Sequence, residues 1–288
     1  MSNILELPTK NWPPLLLEIP DKPKQLQIIG NLPDPDKYTY LAVVGSRKYS
    51  NYGKEACREL ILGLSGQPVV IVSGLALGID AIAHQAALDA GLKTIAVPGS
   101  GLDPSVLYPP SNRRLAENIL TAGGCLLSEF EPDFRATPYS FPQRNRLMAG
   151  MSKATLIVEA TAKSGTLITA RLALDYNRDV LVVPGPIFND GSSGTFDLLK
   201  HGAQPVSTAS DILEALGLDH TELKNNYDDS TLSDVEKEIC ALLACEPLAR
   251  DDIFLNIKKD TSVLAAALSW LEIKNLIEET GGEFRLKR

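Results

Sequence analysis

A chain of 288 residues, 44% hydrophobic and 22% charged, has room for one large domain and a small one, and it is neither disordered nor fibrous as a whole. No run approaches the roughly 18 apolar residues that span a bilayer, and the first residues lack a basic segment followed by an apolar core, so a cytoplasmic protein without membrane insertion is expected. The net charge of −8 argues against a surface coated for duplex DNA and leaves a local basic groove open.

Residues 1–38 hold seven of the 19 prolines and little periodicity, so they read as an arm laid against a core. From residue 39 to about 218, short β-rich runs alternate with helical patterns, the mark of an α/β fold with a mostly parallel sheet and helices on both faces. The predicted strands are Leu41–Gly45, Val69–Ser73, Thr94–Val97, Cys125–Ser128, Thr155–Glu159 and Val180–Val183. The predicted helices are Gly53–Leu64, Ile79–Ala90, Arg113–Ala122, Gly165–Tyr176 and Gly194–Lys200. Runs such as LAVVG, VVIVS and VLVVP are apolar throughout, as strands covered on both faces must be. Residues 219–230 are polar and acidic and read as a linker. In 231–288 the pattern gives helices at Ser233–Ala244, Arg250–Ile257 and Thr261–Asn275, then a hairpin around Gly281-Gly282, which together suggest a winged helix.

In an open α/β sheet, ligands bind outside the carboxyl ends of the strands. Those ends carry Gly45-Ser46-Arg47, Ser73-Gly74, Gly99-Ser100-Gly101, Ser164-Gly165-Thr166 and Pro184-Gly185, glycine-bearing loops suited to a phosphate-rich ligand. Neither the G-x-G-x-x-G fingerprint nor a complete P-loop is present, and no nucleophile elbow or H-E-x-x-H is found. The cysteines Cys57, Cys125, Cys240 and Cys245 are scattered, without metal-ligand spacing, and are expected to be reduced. Asp80 and His84, one helical turn apart, read as a buried structural pair, and His201 as the end of a helix. No catalytic residue, metal or cofactor is therefore assigned.

The distinctive feature is a set of basic side chains placed on loops: Arg47, Lys48, Arg113, Arg114, Arg135, Arg144 and Arg146. Residues 40–218 count 15 Lys plus Arg against 16 Asp plus Glu, so these positives are a local concentration. Guanidinium forks suit phosphate, and Tyr108, Tyr139 and Phe141 in the same loops are candidates for stacking on unpaired bases. The residues alone leave a nucleic acid and an anionic metabolite both open as ligands. Arg146 has two readings: a phosphate contact, or a tie to Glu129 or Glu159.

At these residues the chain resembles the DNA processing protein A family (DprA/Smf). The matching blocks are VGSR at 44–47, SGLALGIDAIAH at 73–84, GSGLDPSVLYPPSN at 99–112, LSEF at 127–130, SFPQRNRLMAG at 140–150, VEATAKSGTLITARLA at 158–173 and VPG at 183–185. The resemblance implies a Rossmann-like bacterial protein that binds single-stranded DNA, forms a homodimer and loads the RecA recombinase onto incoming strands during natural transformation, with no enzymatic activity. It implies that Arg47 contacts phosphate and that Phe141 lies beside the DNA, followed by Arg144, Asn145 and Arg146. Gly45, Ser46, Ser73, Gly74, Gly99 and Ser164 would serve as backbone or hydroxyl donors. Two basic positions of the family are prolines here, Pro110 and Pro138, which Arg113, Arg114 or Arg135 would have to replace.

In the C-terminal module the presumed recognition helix offers only Lys274 as a base, and Leu264, Ala267, Leu268 and Leu271 form an apolar stripe. A protein-contacting role is therefore preferred there to duplex reading. The rival for the whole chain is an enzyme, a phosphoribohydrolase of the lysine-decarboxylase-like type. Its P-G-G-x-G-T-x-x-E signature is broken here, because Leu198 stands where the glutamate would be.

Overall fold

The computed structural model describes residues 4–218, 232–243, 247–257, 259–274, 276–280 and 282–286. The predicted linker 219–230, with His220, and Cys245 lie outside them. The chain forms two compact units, 1–220 and 221–288.

The first unit is built on one nine-stranded sheet in the order β1-β2-β6-β5-β4-β3-β7-β8-β9. Its strands are β1 (Leu5–Glu6), β2 (Gln27–Gly30), β3 (Thr39–Val44), β4 (Val69–Ser73), β5 (Lys93–Ala96), β6 (Cys125–Ser128), β7 (Ala154–Ile157), β8 (Asp179–Val182) and β9 (Gln204–Pro205). From β6 to β9 every pairing is parallel, whereas β2 joins β6 and β1 joins β2 antiparallel. The helices are α1 (Asn51–Leu62), α2 (Ile79–Asp89), α3 (Arg113–Thr121), α4 (Ser140–Met151), α5 (Thr166–Asp175), α6 (Ser193–Lys200) and α7 (Ala209–Ala215). Most of them pack into two main clusters, as both faces of a parallel sheet require, and α3 packs through Ala116 and Ile119 into a third. Leu41 and Val43 of β3 go into one cluster and Ala42 and Val44 into the other, so alternate side chains of a single apolar strand serve both.

Residues 4–38 do more than the proline-rich arm expected of them. They supply two strands, and Trp12, Leu16 and Ile19 are buried in the cluster that holds α4 and α5. The indole of Trp12 donates to the carbonyl of Leu7 (2.8 Å), and the Leu7 amide to that of Leu26 (2.7 Å), which fixes the segment as it crosses. Gly150 of α4 lets the two elements close up, since a Cβ there would lie 2.9 Å from the Ile19 side chain.

The second unit runs α8 (Asp234–Leu243), β10 (Leu248–Ala249), α9 (Arg250–Asn256), α10 (Thr261–Ile273), β11 (Ile277–Thr280) and β12 (Glu283–Leu286). Its strands form a small antiparallel sheet in the order β10-β12-β11. Helix, strand, two helices and a hairpin is the element order of a winged helix. The core is made by Ile239, Leu243, Ile253, Leu264, Leu268, Leu271, Ile277 and Phe284. The stripe Leu264, Ala267, Leu268 and Leu271 therefore faces the unit's own core and is no argument for a partner. A different set on α10 is exposed: Val263, Trp270 and Ile273. Lys274 is paired with Glu236 (2.7 Å), whose other oxygen accepts the Ser233 amide.

Candidate functional site

The strand order reverses between β3 and β7, since β4, β5 and β6 lie on one side and β8 and β9 on the other. Loops leaving those two strands at their carboxyl ends must diverge, and a crevice opens between them. It has a volume of about 440 Å³, and the β3 loop contributes Gly45, Ser46, Arg47 and Lys48. From the β7 side come Thr161, Ser164, Gly165 and Thr166, and α4 supplies Phe141, Pro142, Arg144 and Asn145.

The β3 loop is held tightly. The Ser46 hydroxyl donates to the carbonyl of Lys48 (2.7 Å) and accepts its amide (3.0 Å), a closed turn that leaves both basic side chains exposed. Gly78 has φ +86°, and a Cβ there would come within 2.4 Å of the Ser46 carbonyl, so only glycine lets the next loop pass beneath. The Arg47 guanidinium lies over the Phe141 ring at 4.9 Å, and Tyr108 leans on the same ring at 5.8 Å between centroids. Ser140 anchors this end of α4 by donating to the carbonyl of Gly99 (2.6 Å).

Of the other basic residues expected on loops, Arg135 does lie on one, between β6 and α4, whereas four lie on helices. Arg144 and Arg146 sit on α4 and Arg113 and Arg114 in the first turn of α3. Arg144 is buried: its Nη1 donates to the carbonyls of Gly74 (2.6 Å) and Val97, and its Nε to Asn145. On the amide side of Gly74, the carboxylate of Asp80 accepts the N–H at 3.1 Å. A side chain on Gly74 would strike both groups. Burial pushes the Asp80 carboxyl up, against the pull of Arg144, and pushes the Arg144 guanidinium down to about 10, which leaves it cationic at neutral pH. Arg146 pairs with Glu129 and lies 3.8 Å from Asp21, so of its two readings the structure supplies the tie to Glu129. Arg113, Arg114 and Arg135 are exposed but do not line the crevice.

Among the hydroxyl and glycine positions, Ser73 is buried and its hydroxyl is given to the carbonyl of Val43 (2.7 Å). Gly74 spends its N–H on Asp80, and Gly99 is buried against the Phe141 ring, which a Cβ would meet at 2.6 Å. Gly45, Ser46 and Ser164 do line the crevice. His84 is buried and its Nδ1 bonds Thr94 Oγ1 (2.7 Å), so it and Asp80 have separate partners. His201 Nδ1 bonds the Asp197 carbonyl, completing the last turn of α6.

The fold and site define a Rossmann-like α/β protein with an open, partly basic crevice at its switch point. Residues 3–217 match the family of DNA recombination-mediator protein A. The chain belongs to that family. It is 45% identical to protein Smf of Escherichia coli over 205 residues, which are 71% of this chain and 54% of that protein. It is 43% identical to DNA processing protein DprA of Streptococcus pneumoniae over 198 residues, 69% of this chain and 68% of the other. The match thus spans about half of the first relative's length. The crystal structure of the pneumococcal protein superposes with a TM-score of 0.68 at 39% identity over 74% of each chain. DNA processing protein A from Helicobacter pylori, a structure described for its single-stranded DNA binding mode, gives 0.67 at 34% identity, covering 75% of this chain and 98% of that one.

Proposed function

We propose that this chain binds single-stranded DNA along the crevice between β3 and β7 and acts as a recombination mediator in the bacterial cytoplasm. The observation that carries this reading is Arg47: an exposed guanidinium, preset over Phe141, at the mouth of a crevice whose other donors include Gly45, Ser46, Lys48, Asn145 and Ser164. One such fork holds one backbone phosphate, and the neighbouring amides and hydroxyls extend the contact. An unpaired strand can turn its bases toward the protein, whereas in a duplex they are already stacked. The family resemblance supplies the further parts of the proposal: a homodimer, which would double the site and raise avidity, and transfer of the strand to the RecA recombinase.

No covalent step is proposed. Buried groups suited to acid–base work already serve the fold: Asp80 accepts the Gly74 amide, His84 Nδ1 is bonded to Thr94, and Glu159 accepts the Ser50 amide (2.9 Å). Leu198, where the rival phosphoribohydrolase needs its glutamate, is packed partly buried against the core. The test is fluorescence anisotropy of a labelled oligothymidine and its duplex counterpart across a salt series, with Arg47→Ala beside the unsubstituted chain. Preference for the single strand is expected, with Arg47→Ala binding more weakly and its salt slope lower by about 0.7. Equal binding by Arg47→Ala, together with hydrolysis of nucleoside monophosphates, would replace this reading by the enzymatic one.

A further inference from the structure

The loop after β3, residues 45–50, carries Arg47 and Lys48 and is tied down at both ends. Near its start the carbonyl of Ser46 accepts the amide of Ile79, the first residue of α2, the helix that follows β4 (3.2 Å). At its end the amide of Ser50 donates to Oε2 of Glu159, two residues past β7 (2.9 Å). Strands β4 and β7 are the two neighbours of β3 in the sheet, so the loop is strung across the switch point between anchors on either side. Arg47, Lys48 and Tyr49 lie between those anchors and are exposed.

The second anchor is a side chain on a fixed base. The Val158 amide donates to the Val44 carbonyl (3.1 Å) and the Ala160 amide to that of Gly191 (2.9 Å), which pins the backbone on both sides of Glu159. The carboxylate itself is buried, and two glycines enclose it: a Cβ at Gly53 would come within 2.5 Å of Oε2, and one at Gly191 within 2.6 Å of Oε1. Helix α1 does not depend on this bond for its cap, because the Ser50 hydroxyl already accepts the Gly53 amide (3.1 Å). What Glu159 fixes is the main chain of Ser50, where the loop lands. Burying a charge costs free energy, and a residue that served packing alone would not need one.

Resting on the single-stranded DNA reading, we infer that Glu159 is a positioning residue for phosphate binding. It stands behind the crevice and outside its lining, and the reach of its side chain sets where the loop holds Arg47. Reach and charge can be separated by two conservative changes. Glu159→Gln keeps the length and an oxygen acceptor and loses the charge, whereas Glu159→Asp keeps the charge and draws it back by one methylene from the Ser50 amide. If reach is what matters, Glu159→Asp is the damaging change.

The experiment titrates oligothymidine across a salt series against the unsubstituted chain, Glu159→Asp, Glu159→Gln, Arg47→Ala and the Arg47→Ala/Glu159→Asp pair. Glu159→Asp is expected to lower the salt slope by about 0.7, the loss of one phosphate contact, and to bind about three- to fivefold more weakly at physiological salt. Glu159→Gln is expected to keep the slope and to stay within about twofold of the unsubstituted chain. In the Arg47→Ala background, Glu159→Asp is expected to lower the slope by at most about half as much as it does alone, because the cation it misplaces is gone. Loss of fold by itself would weaken binding at an unchanged slope, and thermal melting of each variant reads it directly. An unchanged slope in Glu159→Asp, a lowered slope in Glu159→Gln, or full additivity with Arg47→Ala overturns the positioning role. If the unsubstituted chain does not bind, or Arg47→Ala keeps the full slope, the DNA reading itself is what fails.

Discussion

Helices α4 and α10 invert each other. Helix α4 carries Ser140, Gln143, Arg144, Asn145 and Arg146 and looks like a surface segment, yet Ser140 and Arg144 are buried and Arg146 is nearly so. Helix α10 is apolar almost all round and looks like a core element, yet Val263, Trp270 and Ile273 are left in water. Residue type gave the wrong accessibility in both, because α4 is closed in by the glycine loops and residues 4–38, while the small second unit can cover only one side of α10. Positive charge on a sequence is therefore no measure of the charge offered to a ligand.

The sharpest way to break this comparison is Arg144→Ala. It would leave Asp80 without its nearby cation and two buried carbonyls without a donor, and a loss of about 3–5 kcal/mol is expected in urea unfolding. Arg144→Lys should not restore it, since an ammonium cannot reproduce the fork. Arg47→Ala, by contrast, should stay within about 0.5 kcal/mol of the parent in the same assay.

Next in size is a pH effect confined to the first unit. Burial holds the His84 imidazole down to about 3, below the value of about 6.5 for an exposed histidine, so the unfolded chain takes up a proton that the folded one refuses. Stability from this group is complete above about pH 6.5 and is lost as pH falls from there toward 3, by a few kcal/mol at the bottom of that window. His84→Gln should flatten this part of the pH profile. The smallest effect belongs to α10. Trp270→Ser should alter stability by no more than about 0.5 kcal/mol, while Leu268→Ala on the same helix should cost about 2–5. A large cost at Trp270 would mean that its face is covered in solution.

The central strands were legible because β3, β4 and β8 are apolar for most of their length, a pattern that few other settings produce. Boundaries shifted by one or two residues, as at β7, expected from Thr155 and found from Ala154. Helix α4 was missed because Pro142 and a run of polar side chains hide its period, and those side chains are turned inward only by partners far along the chain. Helix α7 was missed as well, although Thr208 and Asp211 have capping-box spacing and form the box. Strands β1 and β9 are two residues each and carry no period at all. At the site, the position of Arg47 was readable, because a residue just past a glycine turn at a strand end is carried on an exposed loop. The fates of Arg144, Ser73 and Gly74 depend on one buried cluster that assembles loops up to 70 residues apart, which spacing does not reveal.

The antiparallel strand β2 also changes what kind of surface the sheet presents. All four residues of β6 are buried, and β2 pairs with it along its full length, Ile28 opposite Leu127 and Ile29 opposite Leu126. Without that cover, β6 would be an apolar strand with a bare row of amides and carbonyls, a template on which a second molecule could add its own strand. The segment that carries β1 and β2 thus closes the β6 edge to strand addition, a duty separate from anything the crevice does with its ligand.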